Sequence, residues 1–230
     1  VLPHLFRGTK YLDFYLNKSE EGDFIILDNG AAEGFAYGPK HLLTLAEEVK
    51  ATEIVIPDIM GEANDTLAHA QMFARYASPN YQYMFVLQGS TIEEVMFCLR
   101  ALDNGNMFSY VTTIGIPRHL YSLGKYFRVS LTEFLIKEHF HDMYEIHFLG
   151  ANEWMGEVFN LSEMTDGLNG FRGIDTSLPV YMGLEGLNIR NGFDYIKRPT
   201  DFFTRSDDNQ EMILKNIQTY LQWARYETSS

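Results

Sequence analysis

The chain has 230 residues, 46% of them hydrophobic and 14% aromatic, enough for one sizeable core. Its net charge of −13 argues against a broadly basic nucleic-acid surface, and no run of about 18 apolar residues suggests a membrane span. A single cysteine, Cys98, excludes an internal disulfide and a cysteine-based zinc site; together with the lack of a secretory pattern in VLPHLFRGTK, it suits a reducing, cytoplasmic setting.

Six short apolar runs punctuate the chain: FIILDNG (24–30), EIVIPDI (53–59), YMFVLQG (83–89), YVTTIGI (110–116), EIHFLG (145–150) and RGIDTSLPV (172–180). They are continuous rather than alternating, as in strands covered on both faces. Helical patterns fill the intervals at 39–50, 62–77, 91–103, about 119–141 and 152–164, and a last helix follows the Ser206-Asp207 cap. Strand-helix alternation predicts a parallel sheet. A seventh or eighth strand is sought in the first 20 residues or in VYMGLEGL (180–187). With no linker or repeat, residues 1–230 are expected to form a single α/β domain: a (β/α)8 TIM-like barrel, shortened or lacking its first strand. The barrel is preferred to a doubly wound sheet because polar residues close nearly every strand at its C-terminal end, where barrels gather their sites.

Those residues are Asp28, Asp58, Gln88, the Gly115 turn, His147 and Asp175. Each alone reads equally well as a turn or helix-cap residue. Four polar groups at four strand ends favour a shared site. Cys98, in MFCLRAL, reads as a buried helical thiol. His139 and His141 lie at i and i+2, which do not share a helix face, so no metal site is expected there, and no cofactor is called for.

The ordered set resembles the tRNA-guanine transglycosylases. DNGA (28–31) is similar to their DSGG, and IVIPD (54–58) to the strand that ends in a base-recognising aspartate. FVLQGS (85–90), TIGIP (113–117), IHFLGAN (146–152) and RGIDTSLP (172–179) resemble their later segments in order. The zinc-binding cysteines of that family have no counterpart, so no zinc subdomain is expected. The resemblance is strongest to the compact phage and bacterial branch that inserts 7-deazaguanines into DNA. It implies a pentosyltransferase that exchanges guanine for a preQ0-type base, within the host cytoplasm if phage-encoded. Asp28 and Asp175 would divide the nucleophile and acid/base roles in either order. Asp58, Gln88, Gly89, Gly115, Ile116 and His147 would bind the base.

Leu178 stands where the family's second aspartate, its nucleophile, would be. Two alternatives therefore remain: a reduced tRNA enzyme, and a non-catalytic guanine- or nucleic-acid-binding subunit. An aldolase- or epimerase-like barrel lacks a clear catalytic lysine or phosphate loop. For a nucleic-acid partner, DNA or tRNA, the basic and aromatic stretch IRNGFDYIKRPTDFFTR (189–205) supplies Arg190, Lys197, Arg198 and Arg205, with Arg172 nearby and Arg118, Lys125 and Arg128 as further rim cations. A homodimer or partner subunit is also expected.

Overall fold

Each of the six apolar runs holds all or most of a strand. The structure is a computed structural model that describes residues 1–7, 9–103, 108–151, 155–191 and 209–225. The strands are β1 (Ile26–Leu27), β2 (Glu53–Val55), β3 (Gln82–Val86), β4 (Thr113–Pro117), β5 (Glu145–Leu149) and β6 (Phe171–Ile174). They form one all-parallel sheet in the order β1-β2-β3-β4-β5-β6. Right-handed crossovers that always step the same way put every connecting helix on one face. The sheet curls away from its helices, and its inner face must be filled by its own side chains.

The helices are α1 (Thr9–Glu20), α2 (Pro39–Val49), α3 (Ala63–Phe73), α4 (Ile92–Asp103), α5 (Phe127–Lys137), α6 (Phe140–Met143), α7 (Met155–Thr165), α8 (Leu178–Leu184) and α9 (Gln210–Arg225). Their buried stripes follow from sequence spacing. Leu42, Leu45, Ala46 and Val49 on α2, and Val95, Cys98, Leu99 and Leu102 on α4, fall at i, i+3, i+4 and i+7. They pack on the outward residues of the strands, among them Ile54, Phe85, Leu87, Ile114, Ile116, Ile146 and Phe148. Each large apolar side chain buried there contributes about 1.5–3 kcal/mol. Cys98 is fully buried, its thiol pushed up to about 11 by desolvation, so it acts as a core residue.

The expected closed (β/α)8 barrel is not formed. The sheet is an open half-barrel whose edges stand 12 Å apart, far beyond the ~4.8 Å of paired strands. Among the described residues, neither segment considered for a further strand forms one: the first 20 residues contain α1, and VYMGLEGL begins inside α8 and runs just past its end. Pro179 explains the second case, since it sits in the first turn of α8, where its missing N–H costs nothing. Val1 lies beside β1, its nitrogen donating to Ile26 O at 2.6 Å and its carbonyl accepting from Asp28 N–H at 2.9 Å.

On the inner face, alternation places Glu53 and Val55 on β2, Met84 and Val86 on β3, Thr113 and Gly115 on β4, and Leu149 on β5. Gly115 permits the tight fit, because a Cβ there would meet Met84 Sδ and Leu149 Cδ1 at 3.0 Å. At the N-terminal end the half-barrel is plugged by an ion pair. Arg172 Nη2 donates to Glu53 Oε2 at 2.7 Å, Thr113 Oγ1 donates to Glu53 Oε1, and the guanidinium lies 5.1 Å from the Phe24 ring centroid. Arg172 can turn inward because it is the extra residue where the β5–β6 register shifts between Ile146 and His147.

Helices α8 and α9 meet through Gly183, where a Cβ would lie 2.5 Å from Ile213 Cα. Gly183→Ala therefore forces the two helices apart. We expect a net loss of about 1–3 kcal/mol, read as a lower urea midpoint, despite the ~1 kcal/mol that alanine adds in helix propensity. An unchanged midpoint would show that α9 shifts freely.

Candidate functional site

The C-terminal ends of the strands surround a cavity of about 750 Å3. Its apolar floor is Val55, Val86 and Leu149, the upper part of the inner face. Asp28 follows β1, Asp58 follows β2, Gln88 follows β3 and Asp175 follows β6, and all four side chains line the wall. Ala31 and Ala32, in a 3-10 turn that starts after left-handed Gly30, form a thin wall beside Asp28.

Asp58 is the most constrained carboxylate. One oxygen accepts from Asn29 Nδ2, which also donates to Ile56 O at 2.7 Å; the other accepts from Gln88 Nε2. Gln88 Oε1 in turn accepts from Gly61 N–H at 2.9 Å. Each end of the Gln88 amide thus makes one hydrogen bond, and Gln88 orients Asp58 from within the cavity wall. Burial pushes the Asp58 carboxyl above its usual range and nearby Asp28 adds to the rise, while the two amides oppose it. Asp28 accepts from Gly30 N–H at 2.7 Å; burial raises its carboxyl too, reinforced by Asp175.

Asp175 behaves in the opposite sense. Partial burial pushes it up, but the His147 imidazole and the Gly150 N–H, which donates at 2.9 Å, outweigh that and hold the carboxyl below the usual range. His147 Nε2 lies 3.6 Å from Asp175 Oδ1, too long for a hydrogen bond, so its influence is electrostatic.

The remaining residues singled out in the sequence fall elsewhere. Gly89 is outside the cavity lining; its missing side chain admits the start of α4, since a Cβ would lie 2.7 Å from Val95 N. Gly115 sits within the inner face and Ile116 is buried against the helices. Arg172 is at the opposite end of the half-barrel, bonded to Glu53 and Glu145. Arg190 donates to Thr219 Oγ1 and Gln222 Oε1. Lys197, Arg198 and Arg205 lie outside the described residues. Arg118 lines the cavity, whereas Arg128 is 1% exposed and lies beneath it. Among the described residues no group of three or more His, Cys, Asp or Glu is placed to hold a metal ion, and His139 instead contacts Asp142 at 3.0 Å. No helix among them is long and apolar enough to cross a membrane.

The sequence reading missed Asn29, which looks like a turn residue in DNG but is 5% exposed and orders Asp58. It also missed His119 and Tyr181 as lining residues.

The transglycosylase reading is overturned. The mouth of a closed eight-stranded barrel, on which that exchange chemistry depends, is absent from this open half-barrel. Asp28 and Asp175 do not form a hydrogen-bonded pair; each is held by the loop amide nearest to it. Leu178 lines the cavity at the position of the expected nucleophile. The pentosyltransferase assignment, its tRNA variant and the barrel-based binding subunit fall with the fold. No protein-family model matches the chain, and no curated protein is significantly similar to it.

Proposed function

We propose that the half-barrel is a binding module for a small molecule that presents N–H donors, above all a protonated amine or guanidinium group. One observation carries the reading: three carboxylates, Asp28, Asp58 and Asp175, converge on a single cavity of about 750 Å3 over an apolar floor. That volume lies within the usual range for small-molecule sites. Burial and, to a lesser extent, mutual repulsion make two of these carboxylates costly to keep charged, and a bound cation offsets both costs.

Guanine and 7-deazaguanines, with adjacent N1–H and 2-amino donors, belong to the same chemical class without the charge. DNA or tRNA is a weaker candidate, because three rim aspartates repel phosphates and, although Arg118 lines the cavity, Arg172 and Arg190 are engaged elsewhere. A cytoplasmic setting is part of the proposal, since the lone buried thiol of Cys98 needs no oxidising compartment.

The test is isothermal titration calorimetry with agmatine, guanine and glucose 6-phosphate. We expect agmatine to bind at or below about 1 mM, guanine more weakly, and the sugar phosphate not at all. Binding of the sugar phosphate alone, or of none of the three, would refute the assignment.

A further inference from the structure

Beneath the rim, Arg128 on α5 is almost fully enclosed, and its guanidinium carbon lies 5.4 Å from the Phe148 ring centroid. Its Nη1 donates to Gly150 O at 2.8 Å, and its Nε lies 3.6 Å from Glu157 Oε1 in a pair whose side chains are 0% and 1% exposed. Gly150 is the residue whose own N–H donates to Asp175 Oδ1 at 2.9 Å. The two bonds engage the peptide units on either side of the Gly150 Cα. Gly150 has φ +72, a conformation that favours glycine, and a Cβ there would meet Arg118 Cβ at 3.2 Å.

We infer that Arg128 is a positioning residue for the rim: through Gly150 it fixes the amide that holds the Asp175 carboxylate toward the cavity, without touching the ligand itself. Charge alone does not account for the geometry. Asp175 is 60% exposed on its side chain, so a distant buried cation is heavily screened, whereas a fixed N–H at hydrogen-bond distance is not. The planar guanidinium reaches the Gly150 carbonyl while facing Glu157 and Phe148, which a lysine ammonium cannot reproduce.

The test follows Asp175 by carbon-detected NMR titration in the whole chain, with Arg128→Lys, Arg128→Met and Glu157→Gln. We expect both Arg128 variants to move the Asp175 midpoint upward, and Glu157→Gln to leave it in place while lowering stability. A wild-type midpoint in Arg128→Lys would reduce the residue's role to bare charge and overturn the inference. So would an equal shift in Glu157→Gln, which would mean general loosening. Circular dichroism checks folding, and Arg128→Lys carries the test if Arg128→Met does not fold. The ligand consequence rests on the proposed function: agmatine affinity should fall about tenfold in both Arg128 variants. If agmatine does not bind the wild type, the cavity assignment fails, and the Asp175 titration still decides the role of Arg128.

Discussion

Arg172→Met should destabilise the protein by about 3–5 kcal/mol, the range for removing one partner of a buried ion pair. Its partner Glu53 is 0% exposed, and among the described residues removing the guanidinium leaves the Thr113 hydroxyl as the side chain that donates to that carboxylate. The other ion pair made by Arg172, to Glu145 at 3.2 Å, is half exposed, so Glu145→Gln should cost under about 1 kcal/mol. Glu53→Leu combined with Arg172→Met should recover much of the loss, because no unpaired charge then remains in the plug. Urea midpoints of the three variants provide the comparison. If Arg172→Met is as mild as Glu145→Gln, Glu53 has found water or another partner, and the plug does not hold the N-terminal end. The same measurement bears on the site. Arg172 links β6 to β2 across the curl of the sheet, so its loss relaxes the curvature that brings Asp175 and Asp58 to one cavity.

The strands were legible in the sequence because parallel strands buried on both sides are written as unbroken apolar runs. Closure was not, because it depends on segments whose local signals are mixed. VYMGLEGL is apolar enough for a strand, yet Pro179 just before it starts a helix. The Glu53–Arg172 plug joins residues 119 positions apart, which no spacing rule detects, and each looked ordinary: a charge opening a strand and a cation near the rim. Arg128 is a different case. It falls on the same stripe as Leu131, Thr132 and Leu135, the buried face of α5, so the periodicity that located the core of the other helices also marks this arginine as interior. The rim aspartates were legible as strand ends. The division between Gln88 and Asn29, which order Asp58, and the cavity-facing carboxylates was not, since it rests on which amide oxygen and nitrogen are already engaged.

Asp28→Asn should make the protein more stable at neutral pH and its ligand binding weaker, two effects that a merely structural aspartate would not produce together. Burial and the neighbouring Asp175 raise the Asp28 carboxyl above 3.8 in the folded chain. A group whose folded value is raised binds its proton more tightly when folded, so its ionised form lowers stability above that value, and the loss is regained as pH falls through the raised value toward 3.8. Asparagine removes the cost and keeps an oxygen for the Gly30 N–H. The stability advantage of the variant should therefore be largest at neutral pH and shrink on acidification across that window. Asp175, held below 3.8, has the reverse sign: its contribution is present above 3.8 and is lost as pH falls through its lower folded value, so Asp175→Asn should destabilise at neutral pH. Binding follows the charge rather than the stability. Agmatine affinity should fall by about tenfold in Asp28→Asn, the worth of a charge-assisted hydrogen bond, and in the wild type it should decline as pH drops into the range where Asp28 and Asp58 take up protons. Melting temperatures and calorimetric affinities measured on the same pH series separate the cases. A variant that is less stable at neutral pH and binds normally would make Asp28 a turn residue. The opposite pair of results would mean that the chain retains a charge it would fold better without, at a place where a cationic ligand can use it.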